Sequence, residues 1–404
     1  MKIKSKKGVK IYHEYYLNLE LKGLKYPEIA KIPVESNENI LKWNKTVGDR
    51  VKKYDVIAII KDEIPIYSPF SGLLTEIVTA PKIGELKDVM YAVIKTEYDN
   101  LPSYPICKFD GELTKQTLLS TLKKAAVVDE LRKQYFYYTL MHSANFKGIL
   151  IDGFDDEPYN LSQTATVLNL KNEVYEGAKI LAQVLKIKNI SLLMNKNFQT
   201  NTFLNTKEYG ITKITVCGKY PTEPEVLKYA VKNSCLRVGA STCRAIYRAI
   251  YFGEPQLERV VTVWGDGISE PSVSLIPFGI PAEHILKEFC AFGMIERVVS
   301  GGVMTGHASS LNFPIYNFES SLTVMPLKKH HKREECMNCG RCAISCPLGL
   351  APFYMLRTSK FKGVNTAKEL CAGLCNYCGA CAYACPSRIP LVDIIRNYSE
   401  KEKE

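Results

Sequence analysis

The sequence predicts a multidomain α/β protein that ends in a small cysteine-rich region, and three observations support this. The 404 residues are too many for one ordinary domain and suggest about three or four. Short β-rich segments near the N-terminus give way, from about residue 102 to 255, to alternating strand and helix patterns. Finally, nine of the 14 cysteines lie between Cys336 and Cys385, and eight of these nine form two regularly spaced runs. We therefore expect several β and α/β units followed by a metal-binding region.

The cysteine-rich region contains two runs of identical spacing, each closed by a Cys-Pro pair. The runs are Cys336, Cys339, Cys342 and Cys346-Pro347, then Cys375, Cys378, Cys381 and Cys385-Pro386. This spacing is typical of bacterial ferredoxins with two 4Fe-4S clusters, where the fourth cysteine of each run binds the other cluster. The predicted metal ligands are Cys336, Cys339, Cys342 and Cys385 for cluster 1, and Cys375, Cys378, Cys381 and Cys346 for cluster 2. Zinc is the alternative, but it favours separated C-x-x-C pairs and leaves a third cysteine unused.

Composition indicates where such a protein works. Most of the remaining cysteines sit singly in apolar surroundings, which is typical of a reducing cytosol, whereas Cys371 lies close to Cys375 as a spare thiol or an alternative ligand. No apolar region follows the basic N-terminus, and no apolar run approaches the roughly 18 residues of a membrane span. The net charge of +11 is spread along the chain without an aromatic-interleaved stripe. We predict a cytoplasmic protein that does not bind nucleic acid.

Several shorter features carry alternatives. Lys61 occupies a turn like that of biotin- or lipoate-carrying lysines, but it lacks flanking methionines and is predicted to be an ordinary turn residue. The aromatic residues 135–138 either stack on a flavin or fill a core. Ser241 is predicted to cap a helix. The glycines of residues 301–306 give a weak phosphate signal, and His307 has no second ligand spaced with it.

A basic run, Lys328 to Arg333, precedes the first cysteine run. It either docks an acidic redox protein or a membrane surface by electrostatic attraction, or serves as a solvated linker.

Longer motifs carry a resemblance to a known family. The two closing motifs read Cys346-Pro-Leu-Gly-Leu-Ala-Pro352 and Cys385-Pro-Ser-Arg-Ile-Pro-Leu391, and further matches lie at residues 254–263 and 301–306. Taken in order, they resemble the C subunit of the Rnf electron-transport complex, which is itself similar to the flavin- and NADH-binding subunit of respiratory complex I. The resemblance covers most of the chain.

The resemblance implies a division into five parts. These are a barrel-sandwich (biotinyl/lipoyl-like) module at 1–100, a Rossmann-like α/β domain at 101–255, a β-grasp soluble-ligand-binding unit at 256–312, a helical ferredoxin-type domain with two 4Fe-4S clusters at 313–398, and a charged tail at 399–404.

One family motif is missing. The family carries a loop of the form GxGGAGFPT and then NGAECEPY, which together bind flavin and nicotinamide. The second survives as residues 152–159, but residues 129–137 contain no glycine where the loop should be. Glycine allows the backbone to approach a phosphate, so we expect FMN and NADH binding to be lost unless Arg132 or Lys133 holds the phosphate by charge. The acidic residues 152–157 would repel it.

The sequence therefore predicts an electron-transfer protein without catalytic side chains that passes single electrons through two 4Fe-4S clusters. Expected partners are ferredoxin- or flavodoxin-like proteins, a reductase, or other Rnf subunits, with peripheral association at the cytoplasmic face of the membrane. The missing loop favours a dedicated carrier, such as the one that serves proline reductase. The alternative is an FMN-containing subunit that oxidises NADH in a membrane-bound Rnf complex.

Overall fold

The structure is a computed structural model that describes most of the chain. The described residues are 1–11, 18–35, 37–81, 88–97, 109, 111–142, 145–198, 204, 206–291, 293, 295–326, 332–361 and 370–401. Residues 328–331 of the basic run and 402–404 of the tail lie outside this set; Lys332 and Arg333 are exposed.

The strands, in chain order, are β1 (Lys2–Ser5), β2 (Asn18–Lys22), β3 (Ile29–Glu35), β4 (Ile40–Trp43), β5 (Arg50–Val51), β6 (Val56–Ile60), β7 (Ile64–Tyr67), β8 (Gly72–Pro81), β9 (Asp88–Thr96), β10 (Val128–Asp129), β11 (Gln134–Tyr135), β12 (Gly148–Gly153), β13 (Asn189–Asn195), β14 (Thr212–Gly218), β15 (Cys235–Gly239), β16 (Glu258–Trp264), β17 (Ser272–Pro277), β18 (Ile295–Ser300), β19 (His307–Ser309) and β20 (Ser321–Pro326).

The α-helices are α1 (Lys115–Lys124), α2 (Phe136–Met141), α3 (Ser162–Val184), α4 (Glu223–Lys232), α5 (Ala240–Tyr251), α6 (Ala282–Glu288), α7 (Arg341–Ser345), α8 (Pro352–Phe361), α9 (Ala380–Tyr383) and α10 (Leu391–Lys401).

A parallel sheet of order β1-β14-β13-β12-β15 forms the centre of the α/β part. Side chains of a strand point alternately to opposite faces. Ile149 and Ile151 accordingly pack against α3 and α5, whereas Leu150 packs on the other face with Val226 of α4. The helices therefore cover both faces of the sheet, as parallel sheets require.

Two further sheets, of order β3-β9-β8-β5 and β4-β6-β7, form the N-terminal β-rich module. Its apolar side chains, such as Ile57 and Ile94, join one core with Val261 and Ile276 of the neighbouring six-stranded sheet. That sheet has the order β19-β18-β20-β16-β17-β2, with α6 packed against it through Ile285. The two β regions thus share a single core.

The structure differs from the predicted division at the N-terminus. β1 pairs with β14 of the parallel sheet, and β2 pairs with β17 of the six-stranded sheet, although both strands fall within the predicted first module. β1 alternates exposed and buried residues, and it satisfies the backbone groups at the edge of β14. Edge pairing of this kind depends on partners far away in the sequence, so local patterns do not reveal it.

Short helices α7 to α10 dominate the C-terminal part. Apolar residues of α8 and α10, including Met355 and Ile395, pack between the two cysteine runs. In the part of the chain that the structure describes, no helix is long and apolar enough to cross a membrane.

The crossing of α3 and α5 depends on Gly177. A Cβ placed there would overlap the backbone carbonyl of Cys243. We expect Gly177→Ala to lower the free energy of unfolding by about 2 kcal/mol, because overpacking outweighs the higher helix propensity of alanine. Urea unfolding followed by circular dichroism measures this. Gly23→Ala is the control, since no atom of the described residues lies within 4 Å of its added Cβ; an equal effect in both variants would contradict the prediction.

Candidate functional site

Four cysteines border one pocket in the C-terminal part: Cys336, Cys339, Cys342 and Cys385. The pocket contains about 340 Å³ of empty space, part of it open to solvent. Its apolar walls include Met337, Phe353, Leu356, Ile389 and Leu391. Three cysteines of the first run and one of the second thus face the same space. That they bind a cluster stays a prediction.

The other four cysteines, Cys375, Cys378, Cys381 and Cys346, also lie close to one another. Burial raises the pKa of the Cys381 thiol to about 12, and negative charge on the other three contributes to the rise. Burial likewise raises the pKa of Cys378 to about 11. A bound metal reverses this preference, because the thiolate is the form that coordinates metal.

The two runs share one backbone geometry. Left-handed φ angles recur at matched positions: 57° at Asn338 and 54° at Tyr377, 71° at Gly340 and 77° at Gly379, 75° at Gly349 and 51° at Arg388. For a tyrosine or an arginine this conformation costs of order 1–3 kcal/mol, and it persists only where the surroundings impose it. The two cysteine runs therefore have equivalent backbone conformations, as expected of two sites for the same kind of bound group.

Backbone N–H groups point at the sulfur atoms. The amide of Leu350 lies 3.3 Å from Sγ of Cys346, and that of Tyr377 lies 3.4 Å from Sγ of Cys375. The Phe353 amide donates to Cys342. Such donors stabilise thiolates and help to set the potential of an iron-sulfur cluster. The donor set therefore fits two clusters.

A single metal ion would require ligands that converge on one point. No group of three or more His, Cys, Asp or Glu side chains among the described residues is arranged in that way. Cys371, whose role the sequence leaves open, is exposed, with a left-handed φ of 55° at the start of a short turn.

A second candidate site is a cleft beside the carboxyl ends of β12 and β15, where ligands bind in many parallel-sheet proteins. It encloses about 1430 Å³ of empty space, part of it open to solvent. Its acidic lining residues are Glu130, Asp152, Asp155, Asp156, Glu157, Glu223 and Glu319, and its basic ones are Lys133, Arg237 and Arg259. His307, at the start of β19, also lines it. The acidic residues outnumber the basic ones, so the cleft disfavours anions.

Two of these carboxylates cap helices. Asp155 accepts hydrogen bonds from the amides of Gln163 (3.0 Å) and Thr164 (2.9 Å) at the start of α3. Asp156 accepts from the amides of Thr222 (2.7 Å) and Glu223 (3.0 Å) at the start of α4. Burial raises the pKa of Asp156 to about 6, while these bonds oppose the rise. Each carboxylate takes the place at a helix N-terminus where a phosphate can bind.

Glu157 fills the glycine-containing loop at residues 301–306. Its carboxylate accepts hydrogen bonds from the amide of Met304 (2.5 Å) and from the amide and hydroxyl of Thr305 (3.3 and 2.9 Å). A Cβ at Gly302 would overlap the Glu157 side chain. The glycines therefore make room for a carboxylate of the chain itself, so the weak phosphate signal of this loop has a structural explanation.

Glu130 likewise occupies the space and the hydrogen-bond donors at the start of α5. Its carboxylate accepts hydrogen bonds from the Thr242 amide (3.3 Å), the Thr242 hydroxyl and the Gln163 amide group (3.0 Å). A Cβ at Gly239 would overlap this carboxylate. The prediction that Ser241 caps the helix is wrong, because Gly239 is the N-cap residue and Glu130 supplies the acceptor from a distant segment.

The segment that replaces the glycine loop forms the hairpin of β10 and β11. Arg132 is not free for a phosphate, since its Nη1 lies 2.8 Å from Oδ2 of Asp129 and also donates to the carbonyl of Arg237. Lys133 lines the cleft with a left-handed φ of 52°. Of the two cations considered for a phosphate, only Lys133 lines this cleft.

The aromatic residues 135–138 fill space rather than line the cleft. Phe136 is fully buried in the core under α3, and Tyr135 packs with the β-rich module. The Tyr138 hydroxyl donates to Asp62, 2.5 Å away, in the turn that contains Lys61. Lys123 pairs with Glu63 of the same turn at 3.3 Å. The turn is thus tied to the α/β part by contacts at Asp62 and Glu63.

The acidic residues 152–157 were identified from sequence, but the hydrogen-bond partners of these residues and the role of Glu130 were not. Glu130 meets Gln163, Gly239 and Thr242 only through the tertiary fold. The one available signal was the helix start at Thr222, where Glu223 and Pro224 follow.

Comparison with known proteins adds independent information. Residues 22–91 match the biotin/lipoyl family, described as "Biotin-requiring enzyme". This range includes strands β3 to β8, the first residues of β9 and the turn at Lys61.

Curated relatives align over about three quarters of the chain. The C subunit of the ion-translocating oxidoreductase complex of Buchnera aphidicola subsp. Baizongia pistaciae is 24% identical over 74% of this chain and 64% of its own length. The C subunit of the proton-translocating ferredoxin:NAD(+) oxidoreductase complex of Clostridium ljungdahlii is 27% identical over 76% of this chain and 72% of its own length. The corresponding protein from Vibrio cholerae strain O395 is 28% identical, and the alignment spans 46% of its length. The chain thus spans from about half to nearly three quarters of the length of these relatives.

A solved structure of an NAD+-reducing NiFe hydrogenase in the H2-reduced state superposes with a TM-score of 0.48 at 11% identity, covering 71% of this chain and 63% of that one. The sequence relatives confirm the resemblance that the cysteine motifs predicted: the chain is a relative of the C subunits of ion-translocating oxidoreductase complexes, with a biotin/lipoyl-type domain near its N-terminus.

Proposed function

We propose that this protein relays single electrons between redox partners through two 4Fe-4S clusters. The observation that carries the proposal is the pocket bordered by Cys336, Cys339, Cys342 and Cys385, which combines cysteines of both runs. The matched backbone turns and the amides aimed at sulfur support a second cluster at Cys375, Cys378, Cys381 and Cys346. A 4Fe-4S cluster supplies reversible one-electron transfer when bound.

In this proposal the residues of the chain hold the two clusters and shield them from water. The apolar walls at Phe353 and Leu356 limit the access of water to the first cysteine set. The amides of Leu350 and Tyr377 favour thiolate over thiol in the second. Helices α7 to α10 support the proposed ferredoxin-type domain within 313–398, and strands β16 to β19 support the proposed β-grasp soluble-ligand-binding unit at 256–312. Strand β20 pairs with β16 and β18, so this sheet extends beyond residue 312 to Pro326.

The cleft supports a relay without flavin. A flavin phosphate needs unoccupied N–H donors, but Glu130, Asp155, Asp156 and Glu157 already accept from the helix starts and the glycine loop. Their negative charge further opposes a phosphate. The residues present therefore do not fit FMN or NADH. This favours a dedicated carrier, such as one that serves proline reductase.

The second candidate is an NADH-oxidising subunit that contains FMN. The cleft of about 1430 Å³ favours it, as does Arg259, which lines the cleft and is only 2% exposed. The Nε atom of Arg259 has no hydrogen-bond partner within the described part of the chain. A buried guanidinium of this kind can pair with an anion.

Candidate partners follow from the relatives. We propose ferredoxin- or flavodoxin-like proteins, a reductase or the other subunits of an Rnf-type complex as partners, in the cytoplasm or at the cytoplasmic face of the membrane. The relatives named as members of such complexes support an assembly of this kind.

Metal and flavin content separate the two candidates. Anaerobically purified and reconstituted protein should contain about eight irons per chain and no flavin. Iron analysis and fluorescence of the acid-released cofactor measure both. Stoichiometric FMN, with bleaching of the iron-sulfur absorbance by NADH, would establish the dehydrogenase instead.

Replacing one proposed ligand tests the cysteine assignment. Cys339→Ser should reduce the iron content to about four per chain, because only the first cluster loses a ligand. Cys290→Ser is the matched control, since Cys290 is also exposed but lies outside both runs. If Cys339→Ser kept the full iron content, Cys339 would not be a ligand.

A third test concerns the start of α5, where the Glu130 carboxylate occupies the hydrogen-bond donors that could otherwise bind an anion. Glu130→Gly should lower the free energy of unfolding by about 1–2 kcal/mol, because the Thr242 amide and the Gln163 amide group lose their acceptor. It should also create an anion site, so that inorganic phosphate raises the melting temperature of the variant but not of the wild type. Glu225→Ala, which removes an exposed ion pair with Lys228, is the control. If phosphate raised the melting temperature of the wild type as much as that of Glu130→Gly, Glu130 would not be blocking an anion site.

A further inference from the structure

The two cysteine runs differ in their surroundings although their backbones match. Gly340 and Gly379 occupy equivalent positions with left-handed φ angles of 71° and 77°. A Cβ at Gly340 would meet no atom of the described residues within 4 Å, whereas one at Gly379 would lie 2.7 Å from the carbonyl oxygen of Met304. The preceding cysteines follow the same pattern: Cys339 is exposed, and Cys378 is partly buried. One half is open, and the other is docked on the body of the protein.

The docked turn is fastened by Tyr220. Its hydroxyl donates to the carbonyl of Cys378 at 2.6 Å. Tyr220 is 7% exposed and packs with Val9 and with Ala380, which is fully buried. A reciprocal pair of backbone hydrogen bonds with Val9, of 2.8 and 2.9 Å, fixes the Tyr220 main chain. The hydroxyl is therefore presented from a rigid support.

Glu157 completes the contact. Oε2 of Glu157 lies 3.4 Å from the Tyr220 hydroxyl, and the same carboxylate holds the amides of Met304 and Thr305. Met304 in turn packs against Gly379 and the residues around Cys378. A continuous set of contacts thus runs from the acidic cleft to the second cysteine set.

We propose that Tyr220 and Glu157 form a clamp that positions the Cys378–Gly379 turn, so that the second cluster is the inner one, beside the acidic cleft, and the first cluster exchanges electrons with partner proteins. The proposal rests on the two-cluster function proposed above. Tyr220 acts here as a positioning residue, since it contacts the carbonyl of a ligand and not the metal.

Beyond any effect on stability, the Tyr220 hydroxyl affects the reduction potential of the second cluster. The potential of an iron-sulfur cluster depends on nearby dipoles, charges and exposure to solvent. The Tyr220 O–H directs its positive end at the Cys378 carbonyl and so draws electron density away from the second cysteine set. Removing it makes the second cluster harder to reduce and leaves the first unchanged.

The test compares Tyr220→Phe with a control, Tyr229→Phe. Tyr229 lies on α4, and its hydroxyl is 3.4 Å from the sulfur of Met1. Each change is introduced into two single-cluster backgrounds, Cys339→Ser and Cys378→Ser, and redox titrations followed by electron paramagnetic resonance give the midpoint potentials. We expect Tyr220→Phe to shift the remaining cluster of the Cys339→Ser background to a more negative potential. The remaining cluster of the Cys378→Ser background should not move, and Tyr229→Phe should change neither.

Three results would overturn the clamp: unchanged potentials in both backgrounds, equal shifts in both, or a shift only where the first cluster remains. Loss of iron from Tyr220→Phe in the Cys339→Ser background alone supports it, since only the docked half is then affected. Failure of the parent protein to hold about eight irons would instead reject the two-cluster function, so the two failures are distinguishable.

A second measurement does not depend on iron. Hydrogen–deuterium exchange of the peptide that covers residues 301–306 should accelerate in Glu157→Gln and in Gly379→Ala, because both disturb the docked loop, but not in Gly340→Ala. The two glycine variants carry the same backbone strain, so their difference isolates the contact with Met304. Equal exchange in Gly379→Ala and Gly340→Ala would contradict the proposed docking.

Discussion

Helix starts and tight turns expose amide N–H groups that need acceptors, and this requirement organises the interior of the protein. Around the cleft the acceptors are carboxylates of the chain itself. Asp155 and Asp156 are neighbours in sequence, yet they serve the starts of two different helices, α3 and α4. Glu157 continues the same run into the loop of the six-stranded sheet. Three consecutive acidic residues thereby join the α/β part to the β part. A fourth acidic residue, Glu130, accepts a hydrogen bond from the first turn of α5.

The same network connects the cleft to the cysteine region. Glu157 orders the loop against which Gly379 packs, while Tyr220 reaches the Cys378 carbonyl from beside the start of α4. Among the described residues, none lies within 4 Å of a Cβ added at Gly340 of the opposite cysteine run. Two runs with the same cysteine spacing and matching turns are thus placed in unlike environments.

Sequence reasoning succeeded where chemistry is local. Cysteine spacing sufficed to place Cys385 beside the first run, and the alternating strand and helix patterns between about residues 102 and 255 indicated the α/β part with its parallel sheet. It failed where partners are distant. Ser241 resembled a helix cap, but Glu130 satisfies the helix from more than 100 residues away. The acidic residues 152–157 suggested repulsion of a phosphate, but the sequence did not reveal that Asp155, Asp156 and Glu157 also accept hydrogen bonds from two helix starts and a loop.

The parallel sheet is completed by strands that are far apart in the chain. β1 occupies the edge position next to β14, in the register Lys2↔Thr215 to Ser5↔Gly218. During synthesis β1 must therefore wait for most of the α/β part before it can pair, and closing so long a loop slows folding. Once paired, β1 covers the backbone N–H and C=O groups along one edge of β14, which could otherwise pair with a strand of another chain. A segment of four residues at the start of the sequence thus protects a strand that lies more than 200 residues away.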